Sequence, residues 1–238
     1  MNDRDNFSLI VPTLWEAKNI PELIARIAKV DFSSREFEVI IIDDDSNDGV
    51  VAIVEALKVE FTWLRIIVRK TKRDLSQSIL EGFLQAKYNT LVTMDADLSH
   101  PPEKIPEMLS VLSEPDVEVV LGSRYIAGGS MDCVWPLSRK IASRGAAFAA
   151  RMLLGIKIKD PLSGFIAVRK NTLATADPFD IVGWKIALEI MVKTQSKNVR
   201  EIPIHFSQRK KGASKVKIST LLAYLIHLKR LAVYKISR

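Results

Sequence analysis

Phe37-Glu38-Val39-Ile40-Ile41-Ile42 runs directly into Asp43-Asp44-Asp45-Ser46-Asn47-Asp48-Gly49. The first six residues are dominated by β-branched side chains and predict a buried strand. The next seven carry carboxylates, a hydroxyl and a glycine. Asp44, Ser46, Asp48, Gly49 and Glu55 fall near the spacing of a helix–loop–helix calcium loop, but that loop requires a helix before it. A strand precedes it here, so the calcium reading is rejected. The polar residues are expected to project from a strand end into a ligand cleft.

The same alternation extends outward in both directions. Phe7 to Val11 reads as a strand stopped by Pro12, and Ile20 to Val30 has helical apolar spacing. Val50 to Lys58 is expected to be helical, Trp63 to Val68 a strand and Leu75 to Lys87 a helix. Thr90 to Met94 reads as a strand ending at Asp95, Pro101 and Pro102 start a helix reaching about Leu112, and Asp116 to Leu121 reads as a strand. Alternating strands and helices predict a mostly parallel sheet covered by helices, with ligands beyond the carboxyl ends of the strands. Beyond about residue 130, helices are expected over Leu137 to Leu154, Trp184 to Thr194 and Ile218 to Tyr234, with a strand over Phe165 to Val168.

Composition narrows the partners. The 238 residues are 47% hydrophobic and carry 35 basic and 28 acidic side chains, a formal charge of +7. Such an excess points to an anionic partner. Nucleic acid is not expected, because no binding motif or aromatic–basic interleaving accompanies the charge. The lone Cys133 precludes an internal disulfide framework and fits a reducing compartment. Met1 to Asn6 does not read as a signal peptide. The most apolar stretch, Ile218 to Leu228, is short for a bilayer span and meets Lys229 and Arg230. The protein is expected to be soluble or peripheral.

Asp95 and Asp97 flank Ala96 just after a buried strand, and in extended chain they point to one side. Two carboxylates so placed repel, and a divalent cation relieves that repulsion. A solvated acidic strand end is the alternative.

Taken in order, the motifs form a series. Val11-Pro12-Thr13 is followed by Asp43-Asp44-Asp45-Ser46 with Asp48-Gly49, and then by Met94-Asp95-Ala96-Asp97-Leu98-Ser99-His100-Pro101. Gly122-Ser123-Arg124-Tyr125, Arg139-Lys140 with Ser143, Asp160-Pro161-Leu162-Ser163-Gly164-Phe165 and Gly212-Ala213-Ser214-Lys215 complete it. The series resembles the family 2 glycosyltransferases of the GT-A fold. More narrowly, it resembles dolichyl-phosphate mannosyltransferases and bacterial polyprenyl-phosphate glycosyltransferases, over nearly the whole chain.

That resemblance implies a single α/β domain over residues 1–238, Rossmann-like, with a mostly parallel sheet flanked by helices. Residues 1–125 would bind the nucleotide sugar, 126–215 the acceptor, and 216–238 would form a C-terminal amphipathic helix. It implies an inverting transferase that moves a sugar to a polyprenyl or dolichyl phosphate. GDP-mannose is the leading donor, with UDP-glucose and related donors behind it. A soluble or polysaccharide acceptor is the competing reading.

By the same resemblance Pro12, Thr13, Glu16 and Asp44 belong to the nucleotide site. Asp95, Asp97 and Ser99 would hold Mg2+ or Mn2+ and, through it, the diphosphate. Arg124, Arg139 and Ser143 would hold phosphate, with Asp97, Arg124 and Arg139 as the catalytic set. Arg209, Lys211 and Lys215 match a basic loop that closes on the substrates. Two positions depart from the family pattern. Leu14-Trp15 stands where Tyr-Asn is frequent, and Asp74 stands where Gly is frequent, which puts an extra carboxylate near the diphosphate.

The chemistry suits these residues. A metal and cations stabilise a leaving diphosphate. A lipid phosphate is already ionised and needs no base, whereas a sugar hydroxyl wants one. Only Asp132, Asp160 and Glu189 are obvious candidates for that base. Arginine grips phosphate in a planar fork, although without the surrounding motifs a solvated or salt-bridged arginine is the more ordinary reading. His100, before two prolines, is expected to be structural, and Trp135 and Trp184 are expected to pack. The stretch from Lys215 to Arg238 would place the protein at the cytoplasmic face of a membrane, or simply pack on the domain. A separate membrane-anchoring partner is left open.

Overall fold

A computed structural model describes residues 6–132, 137–179, 185–209 and 218–238. β1 (Phe7–Thr13) pairs in parallel with β2 (Phe37–Asp43) on one side and β4 (Thr90–Thr93) on the other, and β3 (Leu64–Val68) extends the sheet beyond β2. β5 (Val119–Ser123), β7 (Ile166–Arg169) and β8 (Val199–Pro203) complete a seven-stranded sheet of order β3-β2-β1-β4-β7-β5-β8. Only β7 runs antiparallel to its neighbours. Strands from both expected halves thus share one sheet. A two-stranded ribbon joins β6 (Ser130–Met131) to β9 (His205–Phe206).

The sheet is covered on both faces, so its central strands are largely apolar. The pleat divides them. Leu9, Val11, Val39 and Ile41 face α1 (Ile20–Ile27), α2 (Val50–Leu57) and α4 (Ile105–Leu112). Ile10, Ile40 and Ile42 face α3 (Leu75–Gln85), α5 (Leu137–Leu154), α7 (Ile186–Lys193) and α8 (Ile218–Ile236). A short α6 (Lys170–Ala174) follows β7. α3 lies so close to β1 that a Cβ on Gly82 would come within 2.4 Å of an Ile10 methyl, and only glycine permits that approach.

Several expected boundaries move for identifiable reasons. Pro12 does not stop β1. The Ile10 carbonyl accepts from the Met94 N–H, while the Thr13 carbonyl accepts from the Asp44 N–H. Even-numbered residues therefore direct their backbone groups toward β4. The last β1–β4 pair is Ile10 with Thr93, so the missing N–H of Pro12 interrupts no ladder. The expected strand from Asp116 begins later, at Val119, because Asp116 itself turns through φ +64°. It then continues through Gly122 and Ser123 to the site. Pro102 opens a 3-10 turn, Pro102–Lys104, before α4 starts. β8 was not anticipated: Val199-Arg200-Glu201-Ile202-Pro203 has too few apolar residues to stand out.

Candidate active site

The carboxyl ends of β1, β2, β4 and β5 open onto one edge of the sheet, and the motif residues gather there. After β4 the chain turns at Leu98, whose φ of +66° folds Ser99 back on Asp97 while its side chain stays in the core. Ser99 donates to Asp97 Oδ1 through both its N–H, at 3.1 Å, and its Oγ, at 2.5 Å. Arg209 donates to Asp97 Oδ2 from Nε at 2.7 Å and Nη2 at 2.6 Å. Burial works to raise the Asp97 carboxyl, but Ser99 and Arg209 outweigh it and hold it below the usual range. Asp95 differs. Desolvation, joined by the charge of Asp97, holds it above that range against the pull of His100 and Arg209.

Two close carboxylates, one of them straining to stay ionised, form a hard-oxygen pair suited to Mg2+ or Mn2+. No group of three or more metal-ligating side chains occurs among the described residues. Substrate phosphate and water would therefore complete the shell, as is usual for Mg2+. Ser99 uses its hydroxyl proton on Asp97 and so acts first as a brace. His100 is also a brace. Its Nδ1 accepts the Asp95 N–H at 3.0 Å, and its ring stacks on Phe165 and meets the edge of Phe206.

Across the cleft, Arg124 follows β5. Its Nε and Nη2 each reach an Asp160 oxygen at 2.7 Å, and its backbone N–H adds a third bond at 3.1 Å. Asp160 is fully buried and is itself oriented by Glu201, which accepts its N–H. One edge of the guanidinium fork is thus already taken, and the ring of Phe206 lies 5.2 Å from its centre. Ser143, on α5, shares a 3.0 Å hydrogen bond with the Tyr125 hydroxyl, which brings it beside Arg124. Arg139 lies one helical turn before Ser143. Its side chain, with Lys211, Lys215, Cys133, Trp135 and Trp184, lies outside the described residues.

At the other end of the cleft Thr13 donates to the Ile42 carbonyl, and buried Glu16 accepts from Asn19 Nδ2 at 2.6 Å. Asp44 pairs with Arg69 through one oxygen and accepts the Asp74 N–H at 2.8 Å through the other. The acidic loop after β2 is hydrogen-bonded within itself and to its neighbours. Asp43 accepts from Ser46, and Asp48 accepts from Ala17 and Val50. β2 precedes that loop, which accords with rejecting the calcium site. Asp74 is not aimed at a diphosphate. It caps α3 by accepting the Gln77 N–H at 3.0 Å. Trp15 lies under Arg73, 5.1 Å from the guanidinium carbon.

The three carboxylates weighed as a base are all engaged. Asp160 holds Arg124. Fully buried Glu189 accepts from Lys193 at 2.8 Å and lies 2.6 Å from His227 Nε2. Asp132 lies 2.9 Å from His205 Nε2. One group escaped the sequence reading. Lys185 enters the cleft from just before α7 and donates to the Leu162 carbonyl at 3.2 Å. Burial, then the charge of Arg124, push its ammonium down to about 8 against the pull of Asp160 and Asp95. Its only sequence signal was its place beside an expected helix start.

The profile of glycosyl transferase family 2 matches residues 8–175. The chain belongs to glycosyl transferase family 2. It is 41% identical over 229 residues to a dolichol-phosphate mannosyltransferase of Mycosarcoma maydis, covering 93% of this chain and 77% of that protein. It is 39% identical to the dolichol-phosphate mannosyltransferase of Saccharomyces cerevisiae, covering 96% and 88%. It is 32% identical to an undecaprenyl-phosphate mannosyltransferase of Micrococcus luteus, covering 87% and 86%. Among solved structures, a mannosyltransferase from Pyrobaculum calidifontis in complex with GDP-Man and Mn2+ superposes with a TM-score of 0.67 at 15% identity. It is covered over 98% of this chain and 64% of its own. At that identity the likeness establishes the shared GT-A fold. The chain is accordingly a glycosyltransferase, and its structural neighbours include proteins crystallised with Mn2+ or Mg2+.

Proposed function

We propose that this glycosyltransferase moves mannose from GDP-mannose to the phosphate of a polyprenyl or dolichyl-type lipid, with inversion at the anomeric carbon. The names of its relatives support the donor and acceptor classes. The observation that carries the reading is the acceptor side of the cleft. There Arg124, Tyr125 and Ser143 converge, while Asp132, Asp160 and Glu189 already hold cationic or imidazole partners. Such a site has donors for an anion and lacks, among the described residues, a carboxylate poised to deprotonate a sugar hydroxyl.

The balance of the reaction fits. A lipid phosphate oxygen forms the new bond to the anomeric carbon, and the bond from that carbon to the diphosphate breaks with its electron pair leaving on GDP. No proton has to be removed from the nucleophile. Arg124 presents its remaining N–H groups to the phosphate, with Ser143 beside it, and Arg139 is proposed to join them. Asp160 fixes the direction of that fork. Asp95 and Asp97 would hold Mg2+ or Mn2+, which when bound offsets the charge growing on the leaving diphosphate. Arg209, held against Asp97, is placed to add a guanidinium there, and Lys211 and Lys215 would follow it. Asp44, Thr13 and Glu16 shape the nucleotide end.

Such an acceptor requires a membrane surface. No described helix is long and apolar enough to cross a bilayer. Yet α5 and α8, which pack together, expose Phe148, Met152, Leu222, Leu225, Ile226 and Val233, with Lys229 and Arg230 also exposed. This face would lie on the anionic cytoplasmic surface, directly or with an anchoring partner. The test is transfer from radiolabelled GDP-mannose, UDP-glucose and related donors to polyprenyl phosphate or free sugars, with Mn2+ or Mg2+. Solvent-extractable label from GDP-mannose is expected. Arg124→Ala and Arg139→Ala should harm acceptor use more than nucleotide affinity. Label on free sugar and none on lipid would make a soluble acceptor the correct reading.

A further inference from the structure

Two residues at the nucleotide end of the cleft hold backbone angles that side chains rarely adopt. Trp15, just past β1, has φ +56°, and Asp45, just past β2, has φ +52°. β1 and β2 are parallel neighbours paired as far as Thr13 with Asp43, so Trp15 and Asp45 follow at matching positions on the carboxyl edge of the sheet. A bulky residue such as tryptophan is a clear outlier at that angle, and such strain persists where neighbours enforce it, commonly at ligand sites. Here the Trp15 N–H donates to Ser46 Oγ at 3.0 Å. Arg73 joins the two positions. Its Nε and Nη2 donate to the Asp44 and Asp45 carbonyls at 3.1 and 2.6 Å, while its guanidinium lies over the Trp15 ring.

The two side chains are suited to a nucleobase. Trp15 is 53% exposed, whereas tryptophan is ordinarily well buried. An aromatic ring at the surface of a nucleotide site is a platform on which a planar base can stack. The Asp45 carboxylate makes no hydrogen bond or ion pair among the described residues, while the oxygens of Asp44 are engaged by Arg69 and the Asp74 N–H. A free carboxylate accepts two parallel N–H bonds. Guanine presents two such donors side by side, N1–H and the 2-amino group. Uracil presents one N–H between two carbonyl oxygens, and those oxygens repel a carboxylate.

We propose that Trp15 and Asp45 form the base subsite that selects a guanine nucleotide: the base stacks on Trp15, and Asp45 accepts from its N1–H and 2-amino group. The inference rests on the guanine-nucleotide donor assigned under Proposed function and names the residues that specify it. The two residues have separable effects. Stacking holds any purine, whereas the carboxylate tells guanine from bases that lack one of its donors, because a site built to bond a donor rejects the analogue without it.

The experiment is calorimetric titration of the full chain, in Mn2+, with GDP, UDP and inosine diphosphate, which lacks the 2-amino group. Asparagine adopts a positive φ more readily than most residues, so Asp45→Asn and Trp15→Asn change the side chain while keeping the backbone. The wild type should bind GDP about tenfold more tightly than inosine diphosphate, and UDP more weakly still. Asp45→Asn should weaken GDP by about tenfold or more and bring the two purine nucleotides within about threefold of each other. Asp45→Gly, which also tolerates that φ, replaces it should it not fold. Trp15→Asn should weaken both purine nucleotides in parallel by about tenfold, and Trp15→Phe should recover most of that loss. A wild type that binds UDP as tightly as GDP refutes the guanine donor and this subsite with it. Equal wild-type binding of GDP and inosine diphosphate, an unchanged GDP preference in a folded Asp45 variant, or an unchanged GDP affinity in Trp15→Asn overturns the subsite while leaving the donor class intact.

Discussion

Replacing Asp160 with Asn removes one charge and almost no volume, which isolates what the Arg124–Asp160 pair does. Asp160 is fully buried, and the Arg124 side chain is only 11% exposed. Two side-chain bonds of 2.7 Å and a backbone bond of 3.1 Å end on that one carboxylate. Burial alone would weaken the hold of Arg124 on its proton, and Asp160 more than offsets it. In Asp160→Asn the amide oxygen keeps one donor, its NH2 opposes a guanidinium N–H, and Arg124 is left charged beside Lys185. Breaking a buried pair from one side costs about 3–5 kcal/mol. For a chain of this size that is a fall of about 6–20 °C in the unfolding midpoint. The assay is urea unfolding of the wild type, Asp160→Asn, Arg124→Met and the double variant. Neither partner is left buried alone in the double variant. It should therefore be more stable than the sum of the single losses implies, with a coupling of about 1–3 kcal/mol. Additive losses, or an Asp160→Asn protein within about 0.5 kcal/mol of wild type, the range of ordinary surface changes, would show that this pair does not lock the end of β5 to the loop.

Four further outcomes are expected. Transfer should stop in excess chelator, and Asp97→Ala should abolish it while the near-ultraviolet dichroism stays native; full turnover in chelator removes the metal from the site. Gly82→Ala should destabilise by about 1–3 kcal/mol in thermal melts, because the new methyl meets Ile10 at 2.4 Å, and an unchanged midpoint contradicts the close packing of α3 on β1. Glu38 accepts from Ser8, Arg65 and the Lys87 N–H; burial pushes its carboxyl up, but these bonds prevail and hold it below its ordinary 4.5. Its stabilising contribution is therefore complete above pH 4.5 and lost as pH falls through the depressed value, so Glu38→Gln should flatten the acid limb of stability, and identical acid limbs refute the linkage. Cosedimentation with anionic vesicles should weaken with added salt and in Phe148→Ser/Met152→Ser, and equal binding by that variant excludes α5 from the membrane face.

The legible parts of this protein were those whose cause lies within a few residues. Phe37 to Ile42 is a strand because five of its six side chains are aromatic or β-branched and favour a pleated, buried backbone, and the helices from Ile20, Val50 and Leu75 follow from apolar spacing. Asp95 and Asp97 were legible as a pair because both follow directly on a buried strand, and the charge of Asp97 does act on Asp95. The capping role of Asp74 was equally local, since Asp74 and Gln77 have cap spacing, but the family comparison drew attention to its charge instead. The partners were not legible. Asp160 lies 36 residues from Arg124 and Arg209 lies 112 from Asp97, and nothing in either neighbourhood signals the other. Lys185 reaches the cleft only because α7 packs behind β5 and β7, and Glu189 became a buried anchor for α8 only when His227 closed over it. The sequence by itself determined most of the strands and helices and singled out the acidic pair that follows β4, because backbone periodicity is a short-range property. The tertiary structure decided which charges pair with one another, because that depends on loops distant in the chain converging at one edge of the sheet.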